Sequence, residues 1–123
     1  MRRATAAKLP QSLSLEAASF YDAVDSIANV ATGTRNGYDY VLFDHDAARD
    51  TQSYSQTVLA IKTTSPISPT TNLSRTSGLH FERAGEWVLV FEPHCAVEIS
   101  KRGLFVDDCF NLLEYSRGVS HGV

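Results

Sequence analysis

The chain has 123 residues, 43% hydrophobic and 20% charged, with 11 basic and 14 acidic residues and a net charge of −3. This length and composition predict one globular domain, and they exclude a collagen-like repeat, a coiled coil and a disulfide-dense mini-protein. A weakly acidic chain is not typical of a dedicated nucleic-acid binder, so we expect no nucleic-acid partner.

Basic residues are concentrated at the N-terminus, where Arg2, Arg3 and Lys8 are accompanied by no acidic residue among the first ten. We predict a flexible basic arm over residues 1–11, either a frayed terminus or a contact for anionic lipid or RNA. No stretch has the apolar length of a signal peptide or a membrane span. We therefore expect a soluble protein that is cytoplasmic or cytoplasm-facing, and membrane association is not expected.

The first predicted element is an amphipathic helix over residues 12–31. Its apolar residues recur at alternating spacings of four and three, the period of one helical face: Leu13, Ala17, Phe20, Val24, Ile27 and Ala31. Ser12 or Ser14 can cap this helix and Gly33 can end it. We expect its apolar face to pack on a sheet.

A first hairpin is predicted from residues 38–45 and 54–62, which are rich in aromatic and β-branched residues and follow the turn signal Asn36-Gly37. Both strands are apolar on both faces at their centres, so we expect them to be interior strands of an antiparallel sheet.

A second hairpin is predicted from residues 79–83 and 86–92, with Ala84-Gly85 as its turn. Residues 96–99 could add a short edge strand. A short helix follows over residues 104–115. The predicted fold is α+β: an N-terminal amphipathic helix, an antiparallel sheet of four or five strands and a short C-terminal helix, in one domain over 12–118 with a frayed tail over 119–123.

One face of the second hairpin carries Trp87, Leu89 and Phe91. These large apolar side chains need cover, which a helix of the same chain or a partner can supply. They are our candidate interface for a protein partner or a homo-oligomer.

The densest polar cluster is Asp44-His45-Asp46, with Asp50 nearby. These carboxylates are candidate ligands for a metal ion, although the spacing does not fit a calcium-binding loop. On a strand, Asp44 and Asp46 project to one face and His45 to the other. The structural alternative is that Asp44 pairs with an arginine or with backbone donors and that the other carboxylates line a solvated hairpin loop.

Two histidines, His80 and His45, are weak candidates for a catalytic base; the structural alternative for His80 is a hydrogen-bonded histidine of the core or rim. Cys95 and Cys109 have no metal-binding spacing, and we expect buried free thiols.

Tyr38, Tyr40 and Tyr54 lie in the paired strands, with Arg35 and Arg49 near them. This group could form a stacking platform for single-stranded RNA or a sugar. The alternative is a set of structural cross-strand aromatic contacts.

The first hairpin also carries a family resemblance. The residues that resemble a bacterial family of unknown function are Asn29-Val30, Gly33-Thr34, Gly37, the strand end Val41-Leu42-Phe43-Asp44 and the segment Ser53-Tyr54-Ser55-Gln56-Thr57-Val58. In that family a strand ending in "FD" precedes a strand reading "sysQTV", then a strand bearing tryptophan or tyrosine, and a C-terminal helix. The resemblance covers about residues 28–115. It implies a soluble domain that is often membrane-anchored, and it assigns no catalytic residue; His45 stands where that family has an aromatic residue.

No nucleophile elbow, phosphate-binding glycine loop or zinc-protease motif is present, so we expect no cofactor and the enzyme interpretation is the weaker one. The function that the sequence favours is a non-catalytic domain acting through protein or small-ligand binding. The alternative is a metal-binding or hydrolytic enzyme centred on Asp44-His45-Asp46.

Overall fold

The structure is a computed structural model that describes residues 9–10, 12–13, 24–49, 52–63 and 78–120. Five strands form one antiparallel sheet, followed by a 3₁₀ helix and an α-helix: β1 (Val24–Arg35), β2 (Tyr38–Arg49), β3 (Gln52–Lys62), β4 (His80–Ala84), β5 (Trp87–Phe91), the 3₁₀ helix (Ile99–Lys101) and α1 (Arg102–Ser120). The strand order is β1-β2-β3-β5-β4. None of the described helices is long and apolar enough to span a membrane.

The antiparallel sheet and the C-terminal helix are confirmed, as is the interior position of β2 and β3. Both strands are central because their apolar residues alternate on two faces that each need burial, and Val41, Phe43 and Leu59 are nearly inaccessible. Helix α1 continues through Ser120, two residues beyond the domain end that we predicted.

Strand β1 corrects the predicted N-terminal helix, because residues 24–31 are paired with β2. Its register shifts between Ala28 and Ala31, where Asn29 has a φ of 55°. This bulge brings Ile27 and Val30, three residues apart, onto the same packed cluster. The bulge thus gives the strand a spacing of three between apolar residues on one face, and the same spacing occurs in an amphipathic helix. The rest of the predicted helix, residues 14–23, lies outside the described residues.

The connection from β1 to β2 is the predicted Asn36-Gly37 turn. Both residues have positive φ, 55° and 84°, which is the geometry of the type I′ turn that suits a two-residue hairpin.

The β4–β5 hairpin is shifted from the register that we predicted. Ala84 pairs with Trp87, so the turn is Gly85-Glu86 and not Ala84-Gly85. Gly85 has a φ of 65°, a conformation that is costly for alanine, and this requirement places it at the first turn position. The shift is by two residues and therefore leaves each side chain on its predicted face.

Helix α1 covers one side of the sheet, which we call the helix face. One stripe of α1 is buried there: Phe105, Val106, Cys109, Phe110 and Leu113. It packs on buried apolar residues of the strands: Leu42, Leu59, Ile61, Phe81, Val88 and Val90. This burial, worth roughly 25 cal/mol per Å² of apolar surface, holds the helix on the sheet.

The other side of the sheet, which we call the N-terminal face, packs against Leu9 and Leu13. The candidate interface residues Trp87, Leu89 and Phe91 are on this face, and they are 2%, 0% and 4% exposed. The indole N–H of Trp87 donates to the Ser12 hydroxyl at 3.1 Å. These aromatic and aliphatic side chains are thus covered within the chain, and the structure offers no exposed apolar interface at them.

Candidate functional site

The Asp44 carboxylate lies on the helix face, where β2 passes the start of α1. Arg102, the first residue of α1, places one guanidinium nitrogen 2.8 Å and 2.6 Å from the two carboxylate oxygens. The Asn29 amide donates at 2.8 Å and the Thr57 hydroxyl at 2.6 Å. The predicted pairing of Asp44 with an arginine is confirmed.

These partners decide the charge of Asp44. Burial raises the pKa of this carboxyl, but the hydrogen bonds from Asn29, Thr57 and Arg102 together lower the pKa below its ordinary value. The group is therefore a carboxylate with its lone pairs engaged, a poor proton acceptor for catalysis.

The metal-ligand prediction named Asp44, Asp46 and Asp50. Asp46 is exposed on the same face as Asp44 and accepts a hydrogen bond from the Ser55 hydroxyl at 2.6 Å, while Asp50 lies outside the described residues. Among the described residues, no group of three His, Cys, Asp or Glu side chains is placed to hold a metal ion.

His45 points to the N-terminal face, opposite to Asp44, as the strand alternation predicts, so the two cannot act as a pair. It is 1% exposed, and its Nε2 is 2.9 Å from the Gln56 side-chain nitrogen. The orientation of that amide is fixed because the Gln56 oxygen accepts the backbone N–H of His94 at 2.7 Å. The Gln56 nitrogen must therefore donate, and His45 Nε2 accepts and is not protonated.

The environment of His45 agrees with a neutral ring. Burial lowers the pKa of this imidazole, and the smaller effects of the Asp46 backbone and the nearby carboxylates do not restore it. His45 is therefore a structural acceptor in the packed sheet, sealed from any substrate.

The segment after β5 is tied to β3 by Gln56 and Thr57. The Thr57 backbone N–H donates to the Cys95 carbonyl at 3.0 Å, and the Thr57 hydroxyl accepts the Val97 N–H at 2.8 Å. These contacts hold residues 95–98 in an irregular conformation, and the predicted edge strand over 96–99 is not formed. The fifth strand of the sheet is β1.

Within this connection, Glu92 to Cys95 form a turn closed by a backbone hydrogen bond of 3.1 Å. Pro93 precedes His94, whose φ is 63°, which is the pattern of a type II turn with a non-glycine residue at the left-handed position. The His94 ring lies 4.3 Å from the Tyr54 ring, centroid to centroid. Sequence reasoning missed this turn, although Pro followed by a polar residue was a usable signal.

Several of the residues that carry the family resemblance have structural roles here. Tyr54, Ser55, Gln56 and Thr57 make the contacts given above, and Gly33 lies under the Tyr40 ring, where a Cβ would come within 2.7 Å of it. Gly pairing with an aromatic residue across two strands protects the glycine backbone. These five residues of the resemblance therefore build the fold.

His80 lies on the edge strand β4, with a half-exposed side chain. Its Nε2 is 3.3 Å from a Glu82 oxygen, and its ring is 5.1 Å from the Phe91 ring. His80 is thus a hydrogen-bonded histidine at the rim of the sheet, which is the structural alternative that we considered. Among the described residues around it there is neither a nucleophile nor a closed cavity.

The two cysteines are free, as predicted. Cys109 is buried under α1, and burial raises its pKa far above the ordinary value, with Asp108 adding to the effect. Cys95 is half-buried, which corrects the buried position that we predicted. Burial, then a hydrogen bond and charge from Glu92, raise its pKa as well. Neither thiol has the lowered pKa of a nucleophile.

The predicted aromatic platform is not assembled, because Tyr54 contacts His45 and His94 on the N-terminal face whereas Tyr38 and Tyr40 lie against α1. Tyr38 and Tyr40 are on the helix face with ring centroids 6.2 Å and 5.8 Å from that of Phe110, and Arg35 lies 5.5 Å above the same ring. Arg35 also pairs with Asp107 of α1. These are structural contacts between the sheet and the helix.

A cleft of about 340 Å³ opens on the N-terminal face, at the end of the sheet away from Asp44 and His45. Pro10 and Ser12 line it on one side. The sheet supplies the rest of its wall, chiefly one cross-strand row of side chains, one from each of four neighbouring strands: Thr34, Asp39, Lys62 and Trp87. No pattern in the sequence predicts this cleft, because its residues belong to separate segments of the chain.

The basic arm that we considered for lipid or RNA contact, with Arg2, Arg3 and Lys8, lies outside the described residues. Comparison of the chain with known protein families, with curated proteins and with solved structures finds no match in any of the three. The resemblance to the bacterial family of unknown function stays a prediction.

Proposed function

We propose that this protein is a non-catalytic binding module that holds a small polar ligand in the cleft on the N-terminal face. The observation that carries the proposal is the row Thr34, Asp39, Lys62 and Trp87, which brings a hydroxyl, a carboxylate and an ammonium to one cleft beside an aromatic ring. A small number of polar groups that converge on a concave site is typical of small-molecule recognition.

The state of the other candidates supports a non-catalytic role. The Asp44 carboxylate is engaged by Arg102, Asn29 and Thr57, and His45 is sealed in the packed sheet. A hydrolytic or metal-dependent activity at this segment would have to break the contacts that attach α1 and the 95–98 segment to the sheet.

Association with a protein partner or a second copy of the chain stays a prediction. The apolar face on which we based that prediction is not exposed, because Trp87, Leu89 and Phe91 are buried within the chain.

The test is a ligand-observed NMR screen with amino acids, carboxylic acids, amines and monosaccharides, followed by titration of the emission of Trp87, the single tryptophan. The variant Thr32→Tyr places a ring at an exposed cleft position of β1 and should abolish binding. Ser53→Tyr adds the same ring at an exposed position of β3 outside the cleft, and this variant should bind as the wild type does. The proposal is wrong if no compound binds, or if Thr32→Tyr binds unchanged.

A further inference from the structure

The cleft contains two opposite charges that are neighbours in the sheet but do not neutralise each other. Tyr40 pairs with Ile61, so the next position along the strands sets Asp39 against Lys62 on the N-terminal face. Opposed Cα atoms in such a pair are about 5 Å apart, close enough for a direct ion pair. Each side chain instead interacts with a residue of the strand on its outer side.

Asp39 turns toward β1, where its carboxylate accepts a hydrogen bond from the Thr34 hydroxyl at 3.1 Å. Lys62 turns toward β5, where its ammonium lies 6.0 Å from the Trp87 ring centroid and 4.0 Å from a Glu86 carboxylate oxygen. The cleft therefore presents a negative group on its β1 side and a positive group on its β5 side.

We infer that the ligand of the cleft is a small zwitterion of the amino-acid class, with its ammonium group bound by Asp39 and its carboxylate bound by Lys62. The inference rests on the proposed function and names its ligand. Two opposite charges on the two sides of one cleft favour a molecule that carries both complementary charges, because a ligand with a single charge gains only one of the two ion pairs.

The neighbours of the two charged groups are consistent with this ligand. The Thr34 hydroxyl donates a hydrogen bond to the Asp39 carboxylate, and Val41 and Trp87 supply apolar wall of the cleft beside the two charged groups. Glu86 is a half-exposed competitor for Lys62 at the outer limit of an ion pair, so a ligand carboxylate can replace it at small cost.

The experiment titrates the full chain with ω-amino acids from glycine to 6-aminohexanoate, and with hexanoate and hexylamine as single-charge probes, by ligand-observed NMR and Trp87 emission. One chain length in the series should bind best, and each single-charge probe should bind about tenfold or more weakly, the loss expected for one missing charged hydrogen bond. Equal binding of zwitterions and single-charge probes would overturn the inference.

Variants of Asp39 and Lys62 test which residue binds each charged end of the ligand. Asp39→Asn and Lys62→Met should each weaken the zwitterion about tenfold, whereas Asp108→Asn and Lys101→Met, exposed charges outside the cleft, should not change it. Glu86→Gln should strengthen binding because it removes the competitor. Amide NMR spectra verify that each variant is folded.

The outcomes separate the two proposals. Binding of a monosaccharide or an amine in the cleft, lost in Thr32→Tyr, with no binding of zwitterions, would overturn this inference and leave the proposed function standing. No binding of any compound would overturn both.

Discussion

Arg102 and Asp44 are each 14% exposed in their side chains and join the first residue of α1 to β2. Arg35 and Asp107 join the same helix to β1, but their side chains are 36% and 47% exposed. The two pairs have the same chemistry and the same structural task. They differ in how much water surrounds the charges.

This difference predicts unequal effects of removing the arginines. Arg102→Met leaves the Asp44 carboxylate enclosed without its cation and should lower the free energy of unfolding by about 2 to 4 kcal/mol. Arg35→Met removes a solvated pair and should cost about 1 kcal/mol or less. Urea unfolding monitored by Trp87 emission measures both; equal losses would contradict the structural role assigned to Asp44.

The lowered pKa of His45 predicts that the stability of the protein depends on pH. Its folded pKa is lowered from the ordinary value of 6.5, so the unfolded chain takes up a proton at a higher pH than the folded one. The free energy of unfolding should therefore be retained above pH 6.5 and should fall as the pH is lowered through that value toward the folded pKa. The lowered pKa of Asp44 acts in a separate window, below its ordinary value of 3.8.

The control for His45 is a matched pair of variants. His45→Asn keeps an acceptor for the Gln56 amide and cannot titrate, so urea unfolding between pH 7.5 and 5 should lose most of its pH dependence. His80→Asn removes an exposed histidine and should retain that dependence. The reverse result would contradict the assignment.

At the scale of elements, strand alternation is what the sequence predicts best. The opposite directions of Asp44 and His45 and the faces of β4 and β5 follow from a period of two, which no distant contact changes. The predicted helix over 12–31 fails from residue 24 onward because the bulge at Asn29 replaces a period of two by a step of three, and pairing with β2 overrides local preference.

Replacing glycine by alanine should change the free energy of unfolding in opposite directions at two positions, Gly85 and Gly103. Gly85→Ala should lower the free energy of unfolding by about 1 kcal/mol, because φ there is 65° even though a Cβ would meet no neighbour. Gly103→Ala, in the first turn of α1 and equally open, should raise it by up to about 1 kcal/mol. Thermal unfolding of both variants checks this; destabilisation by Gly103→Ala would contradict the helical assignment there.

At the scale of the whole molecule, the polar cluster around Asp44 and the cleft lie at opposite ends of the sheet. One end holds the polar contacts of Asp44, His45, Gln56 and Thr57, which fasten α1 and the 95–98 segment. The other end holds the cleft. The polar cluster that stands out in the sequence thus serves folding, and the residues of the cleft are inconspicuous because they are single positions on four strands.

This division explains how far the candidate site could be predicted. That Asp44 pairs with an arginine could be expected from its chemistry, but that the partner is Arg102, 58 residues away, depends on the docking of α1. The cross-strand row of Asp39 and Lys62 requires the register of the β2–β3 hairpin, and Trp87 joins it through the crossing from β3 to β5. Spacing along the chain contains none of this.

The most direct test of a binding cleft on the N-terminal face is amide chemical-shift mapping of the folded chain titrated with the best-binding compound of the screen. Our account predicts that the largest changes occur at the cleft positions Thr32 to Thr34, Asp39 to Val41 and Lys62. Changes concentrated at Asp44 to Asp46 and at Gln56 and Thr57 would contradict it, because they would place the ligand at the end of the sheet that we assign to folding.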